Sequence, residues 1–322
     1  MPTTVHFATN RIVNGPPEAV GSYTSDMISP TKPEDATYGT AFVDNSNLTA
    51  DTVGAITSIP DIRKGGFSQG AIDDLADGGR NLLVFIHGFA NSFENAITRA
   101  AFNCEWLAAS GVAAADTAVI AFSWPSLGQI ITPPFPSSSY HRDQTSAGQS
   151  GVHVMTFFAN LLPILTTARA DGRRRFLLAH SMGNWALKAA VESWFAHGNG
   201  DAPLFDEALL AAADEIHNSF DFKPFGRLSA LDRLSRRISV YYSHVDMVLG
   251  LSEFLNGSKR LGQDGPHDRS NTTRFPPTIY RMVDCSGFRD YNIDFQGSHQ
   301  YYRRSPGVRT DLASTMAEGA NA

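Results

Sequence analysis

The chain has little cysteine: two residues, Cys104 and Cys285, in 322. That number excludes a disulfide framework, and neither cysteine stands in C-x-x-C or metal-type spacing. Each falls inside a stretch that reads as a regular element, so both are read as small buried hydrophobes. Charge is scarce as well, at 18% of residues with a net balance of −6. No clustered basic face follows from such a composition, which speaks against a nucleic-acid partner. The densest basic run, Arg173-Arg174-Arg175, precedes a strand-like stretch and reads as a solvated helix end, where positive charge is favoured. A basic start followed by an apolar run is missing from "MPTTVHFATNRIV", so no signal peptide is indicated. Long hydrophobic runs are missing too. The longest, roughly residues 154–168, contains Pro163 and falls short of the ~20 residues a bilayer span requires. These absences leave a cytoplasmic protein without a membrane partner as the expectation.

What is present is an alternation of two periodicities. "NLLVFIHGF" (81–89) is a continuous apolar run, as expected of a strand buried on both faces. In the stretch after it, Phe93, Ala96, Ile97, Ala100, Cys104 and Leu107 recur at helical spacing. "TAVIAFSW" (117–124), "RFLLAHS", "FDEALLAAA", "RISVYYSH" and "TIYRMVDCS" (278–286) read as further strands. A helix is predicted over 146–169, with Pro163 kinking or restarting it, and another over "NWALKAAVESWF". Strands alternating with helices predict a mostly parallel sheet covered on both faces. Residues 1–80 hold short strands, "TVHFAT" and "TYGTAFV", and read as an antiparallel start to the same sheet. The segments 128–143 and 256–277 are long and irregular, and the end after Arg304 reads as a frayed tail.

The most informative stretch is "FLLAHSMGNWALKAA", Phe176 to Ala190. It runs from a strand through a sharp turn into a helix and places Ser181 at the turn. In an open parallel sheet, ligands bind beyond the carboxyl ends of the strands. Such an elbow lifts a nucleophile clear of the sheet, next to backbone N–H groups and a helix N-terminus. Small residues two before and two after the serine are required, because backbone segments nearly touch there. Ala179 and Gly183 meet that need, although the alanine departs from G-x-S-x-G.

From about Leu82 to His299 the chain resembles the α/β-hydrolase superfamily. "ATNR" near the start, "FIHGF", "FSWPS", the Y-x-x-D of Tyr140 and Asp143, and "LLAHSMGN" resemble its bacterial branch of alpha/beta hydrolases of unknown function (DUF900). The resemblance implies an α/β-hydrolase fold, an order Ser…Asp…His, and no settled substrate. His299, in "FQGSHQYY" after the last strand, stands where the superfamily carries its base; His267 is the rival. Asp246, after "ISVYYSH", fits as the acid that holds the base, with Asp214 as the alternative. The oxyanion donors are expected to be the N–H of Met182 and that of Phe89 or Ala90, after the turn that Gly88 permits. His87 is expected to shape that loop, and His180 to pack behind the site. Trp124 either lines the site or packs under it. Tyr140, Arg142 and Asp143 belong to a candidate cap over 128–150, and His87, Gly88, Trp124, Tyr140 and Asp143 are candidate pocket residues.

The chain is therefore expected to be one α/β domain over 1–322 with a flexible end at 305–322. Its expected chemistry is that of a serine hydrolase cleaving a small-molecule carboxylic ester through an acyl-serine, with no cofactor. Thioester, lactone or amide cleavage would use the same residues, and a non-catalytic binding member of the fold is the rival of another class. Metal-dependent hydrolysis lacks an H-E-x-x-H or clustered His/Asp spacing to support it.

Overall fold

The computed structural model describes residues 2–77, 79–110, 117–127, 137–221 and 226–318. Eleven strands occur among them: β1 Thr3–Thr9, β2 Arg11–Val13, β3 Tyr23–Met27, β4 Thr37–Asp44, β5 Ala55–Lys64, β6 Asn81–Ile86, β7 Thr117–Ser123, β8 Arg175–His180, β9 Phe205–Ala211, β10 Ser235–Tyr242 and β11 Tyr280–Asp284. Between and after them lie α1 Gln69–Asp77, α2 Phe93–Ala109, α3 Ser137–Gln149, α4 Gly151–Ala170, α5 Gly183–Ala196, α6 Met247–Asn256, α7 Leu261–Asp264, α8 Tyr301–Arg304 and α9 Pro306–Glu318.

Nine strands form one sheet in the order β11-β10-β9-β8-β6-β7-β1-β4-β5, while β2 and β3 pair as a separate small antiparallel ribbon. The strands from β11 to β1 are mutually parallel, and β4 and β5 add an antiparallel edge. The sequence explains the burial. Alternate residues of β6 serve opposite faces: Leu82, Val84 and Ile86 join the core under α4 and α5, and Leu83 and Phe85 join the core under α2 and α9. A strand covered on both sides must be apolar at every position, hence the unbroken run. From β6 the chain moves to β7 on one side, then returns to β8 on the other. That reversal opens a crevice at the carboxyl ends of β6 and β8, where ligands bind in open α/β sheets.

Three expectations are corrected. The helix predicted over 146–169 is broken at Ser150 and not at Pro163, which lies inside α4. Pro163 is on the exposed face of α4, so water can serve the carbonyl that its missing N–H releases. Just past the break α4 runs close against α5: a Cβ at Gly151 would lie 2.5 Å from that of Ala189. Of the tail expected over 305–322, Pro306–Glu318 is the helix α9, and residues 319–322 lie outside the described residues. Ser305 caps α9 by accepting the Val308 N–H, and Val308, Leu312, Ala313 and Met316 are buried against the α2 side. Cys285 is buried as expected, whereas Cys104 is only partly so; both are free thiols. One helix among the described residues, α4, is long and apolar enough to cross a membrane by length and composition, and half of its residues are buried inside this fold.

Candidate active site

Ser181 follows directly on β8, with φ at +53°. A non-glycine residue in the left-handed region is strained, and such strain persists only where the surroundings hold it. Here the Ser181 N–H donates to Ala211 O of β9 at 3.0 Å, and its carbonyl accepts the N–H groups of Asn184 and Asp214 and the Asn184 side-chain amide. The turn works only with small neighbours. A Cβ at Gly183 would stand 2.5 Å from His87 O, and one at Gly88 would stand 2.8 Å from the Ser181 Cβ. Ala179 is fully buried beside β6, paired with Ile86, and its single methyl is accommodated.

The structure brings His299 and Asp246 to this serine. Ser181 Oγ lies 2.7 Å from His299 Nε2, and His299 Nδ1 lies 2.8 Å from Asp246 Oδ2. A carboxylate fixes the tautomer: Nδ1 carries the proton toward Asp246, and Nε2 is left to accept from the hydroxyl. His299 sits in a short turn after β11, and that turn is docked on α6, where Ser298 Oγ accepts the Met247 N–H. Behind it, Tyr301 OH donates to Tyr241 O at the end of β10 and accepts the Ala212 N–H beyond β9.

The other candidates are placed as follows. Asp214 lines the pocket but holds Tyr140 OH at 2.9 Å and Ser252 Oγ at 2.5 Å, with Arg260 at 3.7 Å. His267 is more than half exposed and pairs with Asp221. His180 packs between the His299 and Tyr302 rings, and burial holds its pKa well below that of a free histidine. Met182 and Phe89 carry backbone N–H groups without a hydrogen-bond partner among the described residues. The Ala90 N–H is turned to the Asp143 carboxylate.

A pocket that opens to solvent leads to Ser181. Tyr140 lines it, but His87, Gly88, Trp124 and Asp143 do not. They lie beneath, for a physical reason. Trp124 is fully buried, stacks on His87 at 5.0 Å and donates its indole N–H to His87 O, which leaves no face for a ligand. Of the candidate cap, residues 128–136 lie outside the described residues. Ser137–Gln149 is α3, packed along α5, and the exposed Arg142 pairs with Asp26.

One organising residue escaped the sequence reading. Arg11, of "ATNR", is 2% exposed and uses every guanidinium N–H: Nε to Ser123 Oγ, one terminal nitrogen to Thr24 O and Ser126 O, the other to Asn91 O and Trp124 O. It ties the ends of β1 and β7 to the loop after β6. Burial pulls its pKa down to about 9, partly opposed by the nearby Asp143. Asp143 in turn accepts from Ser126 Oγ and the Leu127 N–H, while burial raises its own pKa. The place of Arg11 in the "ATNR" stretch, singled out by the resemblance, was the available signal.

This sheet order, with an elbow at its point of reversal, is that of the α/β hydrolases. Within them, the chain belongs to the family described as "Alpha/beta hydrolase of unknown function (DUF900)", whose model matches residues 69–315. A search of curated proteins found no match.

Proposed function

We propose that the protein is a serine hydrolase that cleaves small carboxylic esters through an acyl-serine intermediate. The observation that carries this reading is the continuous chain from Ser181 Oγ to His299 Nε2 and from His299 Nδ1 to Asp246 Oδ2, at 2.7 and 2.8 Å. Ser181 Oγ attacks the ester carbonyl carbon while His299 Nε2 takes its proton. The carbonyl oxygen becomes an oxyanion, received by the Met182 and Phe89 N–H groups. Collapse breaks the bond to the alkoxide, which leaves with the proton from His299. Water then repeats the sequence on the acyl-serine, releasing the acid and restoring the hydroxyl. Asp246 keeps the imidazole in its working tautomer and balances its transient charge. Esters head the substrate classes because their leaving groups need the least assistance.

The test is labelling with a fluorophosphonate probe, alongside a panel of p-nitrophenyl esters and lactones. A stable adduct at Ser181, and turnover that falls by roughly 10⁴ to 10⁶ in Ser181→Ala, are the expected results. Folded protein that takes no label, or Ser181→Ala with wild-type turnover, would refute the reading and favour a binding member of the fold.

A further inference from the structure

The Ser181 pocket contains two guanidinium groups that form no ion pair among the described residues, although Asp51, paired with Arg304, attracts both from farther away. Arg99 reaches it from α2 and Arg303 from α8. Among the described residues, no carboxylate lies within ion-pair distance of either, and the Arg99 side chain makes no hydrogen bond. Arg303 is 6% exposed, yet only its Nε is engaged, with Gln300 Oε1 at 2.9 Å. Its terminal nitrogens are left without partners. The neighbouring Arg304 differs, being paired with Asp51 and Asp294. The two uncommitted cations oppose each other: burial first, and then Arg99, bring the Arg303 pKa down to about 9. Beside them the Tyr302 hydroxyl is buried without a partner.

Arg99 is only partly buried, and the free donors of both groups are open to the pocket's water, so an anionic ligand would exchange those water contacts for charge-assisted hydrogen bonds. Guanidinium donors suit a carboxylate, which can accept two parallel bonds. The rest of the lining is of another kind. Val248, Leu251 and Leu255 of α6, with Phe89 and Phe295, give the pocket an apolar wall. Asp214 also lines it, which disfavours a second negative charge on the ligand.

We propose that Arg99 and Arg303 form an anion subsite of the Ser181 pocket, so that the preferred substrate is an ester with a carboxylate on one side of the scissile bond and an apolar group on the other. This rests on the serine-hydrolase reading of the same site. The carboxylate occupies the guanidinium pair, the apolar arm lies along α6, and the ester carbonyl is presented to Ser181 between them.

The test compares matched esters. Mono-(4-nitrophenyl) glutarate is set against 4-nitrophenyl valerate, which places the charge on the acyl side. 4-Butyryloxybenzoate is set against its methyl ester, which places it on the leaving group. After subtraction of the uncatalysed rates, the charged member of at least one pair is expected to have a kcat/KM about tenfold higher, the worth of one charge-assisted hydrogen bond. Arg99→Gln and Arg303→Gln are each expected to lower that ratio about fivefold or more. A preference for the neutral member in both pairs of the wild type would overturn the proposal without any variant. So would a ratio that neither substitution moves. A readout independent of turnover is calorimetric titration of Ser181→Ala with monomethyl glutarate, which is expected to bind and to bind more weakly once Arg303 is also replaced. Anion binding without labelling or ester turnover would leave the subsite standing and remove the hydrolase reading. Labelled Ser181 and cleaved neutral esters, with no anion preference and no binding, would do the reverse.

Discussion

Asp246 divides its carboxylate between two tasks: Oδ2 lies 2.8 Å from His299 Nδ1, and Oδ1 accepts the Leu249 N–H at 2.9 Å as the N-cap of α6. The helix that forms the apolar wall of the pocket and the histidine beside Ser181 are thereby registered by a single side chain. With Ser298 bonded to the Met247 N–H, the His299 turn and the first turn of α6 behave as one unit.

That double role separates stability from chemistry. Asn caps a helix about as well as Asp, so Asp246→Asn is expected to fold with a loss below about 1 kcal/mol. Its turnover is expected to fall by about 10⁴, because an amide cannot hold the imidazole in its accepting tautomer. Asp214→Asn should show the opposite balance. Its carboxylate accepts from Tyr140 and Ser252, and an amide there would turn a donor toward a donor, at a cost of about 1–3 kcal/mol. Urea unfolding and kcat/KM on one ester check both variants. Reversed results would assign the acid to Asp214.

Arg11 offers a prediction about positioning. Lysine keeps the charge but has three donors on one nitrogen, which cannot reach acceptors spread over Thr24, Asn91, Ser123, Trp124 and Ser126. Arg11→Lys is expected to lose about 3 kcal/mol or more, as when a buried charge loses its partners. Turnover should fall with it, since Asn91 anchors the loop that carries Phe89. Thermal unfolding decides the matter, and an unchanged Tm would show that Arg11 is not a strut.

The elbow makes asymmetric demands on its two small residues. A methyl at Gly183 would meet the carbonyl oxygens of His87 and Ile86 at 2.5 and 2.6 Å, both of them backbone atoms that cannot swing away. Gly183→Ala is therefore expected to cost about 3 kcal/mol or more, or to give insoluble protein. Ala179→Gly removes a methyl that the fold already accommodates and should cost only about 1 kcal/mol, the ordinary penalty for glycine in a regular element. Expression yield and Tm of the pair test this. Similar losses in both would mean that the closeness of β6 to the α5 N-terminus does not limit the turn.

Much of this was legible in local sequence. The parallel strands announced themselves because both of their faces are buried, and the small residues flanking Ser181 because backbone atoms touch there. His299 and Asp246 could be proposed, beside His267 and Asp214, from the order Ser…Asp…His that the superfamily resemblance implies. What stayed hidden depends on tertiary neighbours. β5 has mixed exposure as an edge strand and carries Pro60, so its pattern is weak. α9 was obscured by its short apolar set at 308, 312, 313 and 316, although Ser305 and Pro306 are a legible start signal. In sequence, Asp143 reads as a candidate pocket residue and Trp124 is balanced between lining the site and packing under it, because polar and aromatic residues near a site look like ligand contacts. Only the stacking on His87 and the bonds to the 126–127 turn reveal them as its foundation.

His87 supplies the pH test. It is fully buried under Trp124, its Nδ1 is 2.8 Å from Gly88 O, and its Nε2 is 3.1 Å from Trp124 O. Burial, helped by the charge on Arg11, lowers its pKa from the ordinary 6.5 to about 3. Between those values the unfolded chain binds a proton that the folded chain refuses. Stability held above the unfolded value is therefore lost as pH falls toward the folded one, at up to about 1.4 kcal/mol per pH unit. Other buried groups titrate over the same range, so the contribution has to be isolated by difference. His87→Gln removes the proton-binding group and keeps a side chain able to donate to one carbonyl. At pH 7 the variant should be the less stable protein, having lost the stack on Trp124. Between pH 6 and pH 4 the gap should close by about 1.4 kcal/mol per unit, because only the wild type carries the linkage. Urea unfolding of both proteins at several pH values gives the difference directly, with the shared carboxylates and the other histidines cancelling. A gap that stays constant across that range would mean that His87 takes up its proton as readily in the folded protein as in the unfolded chain.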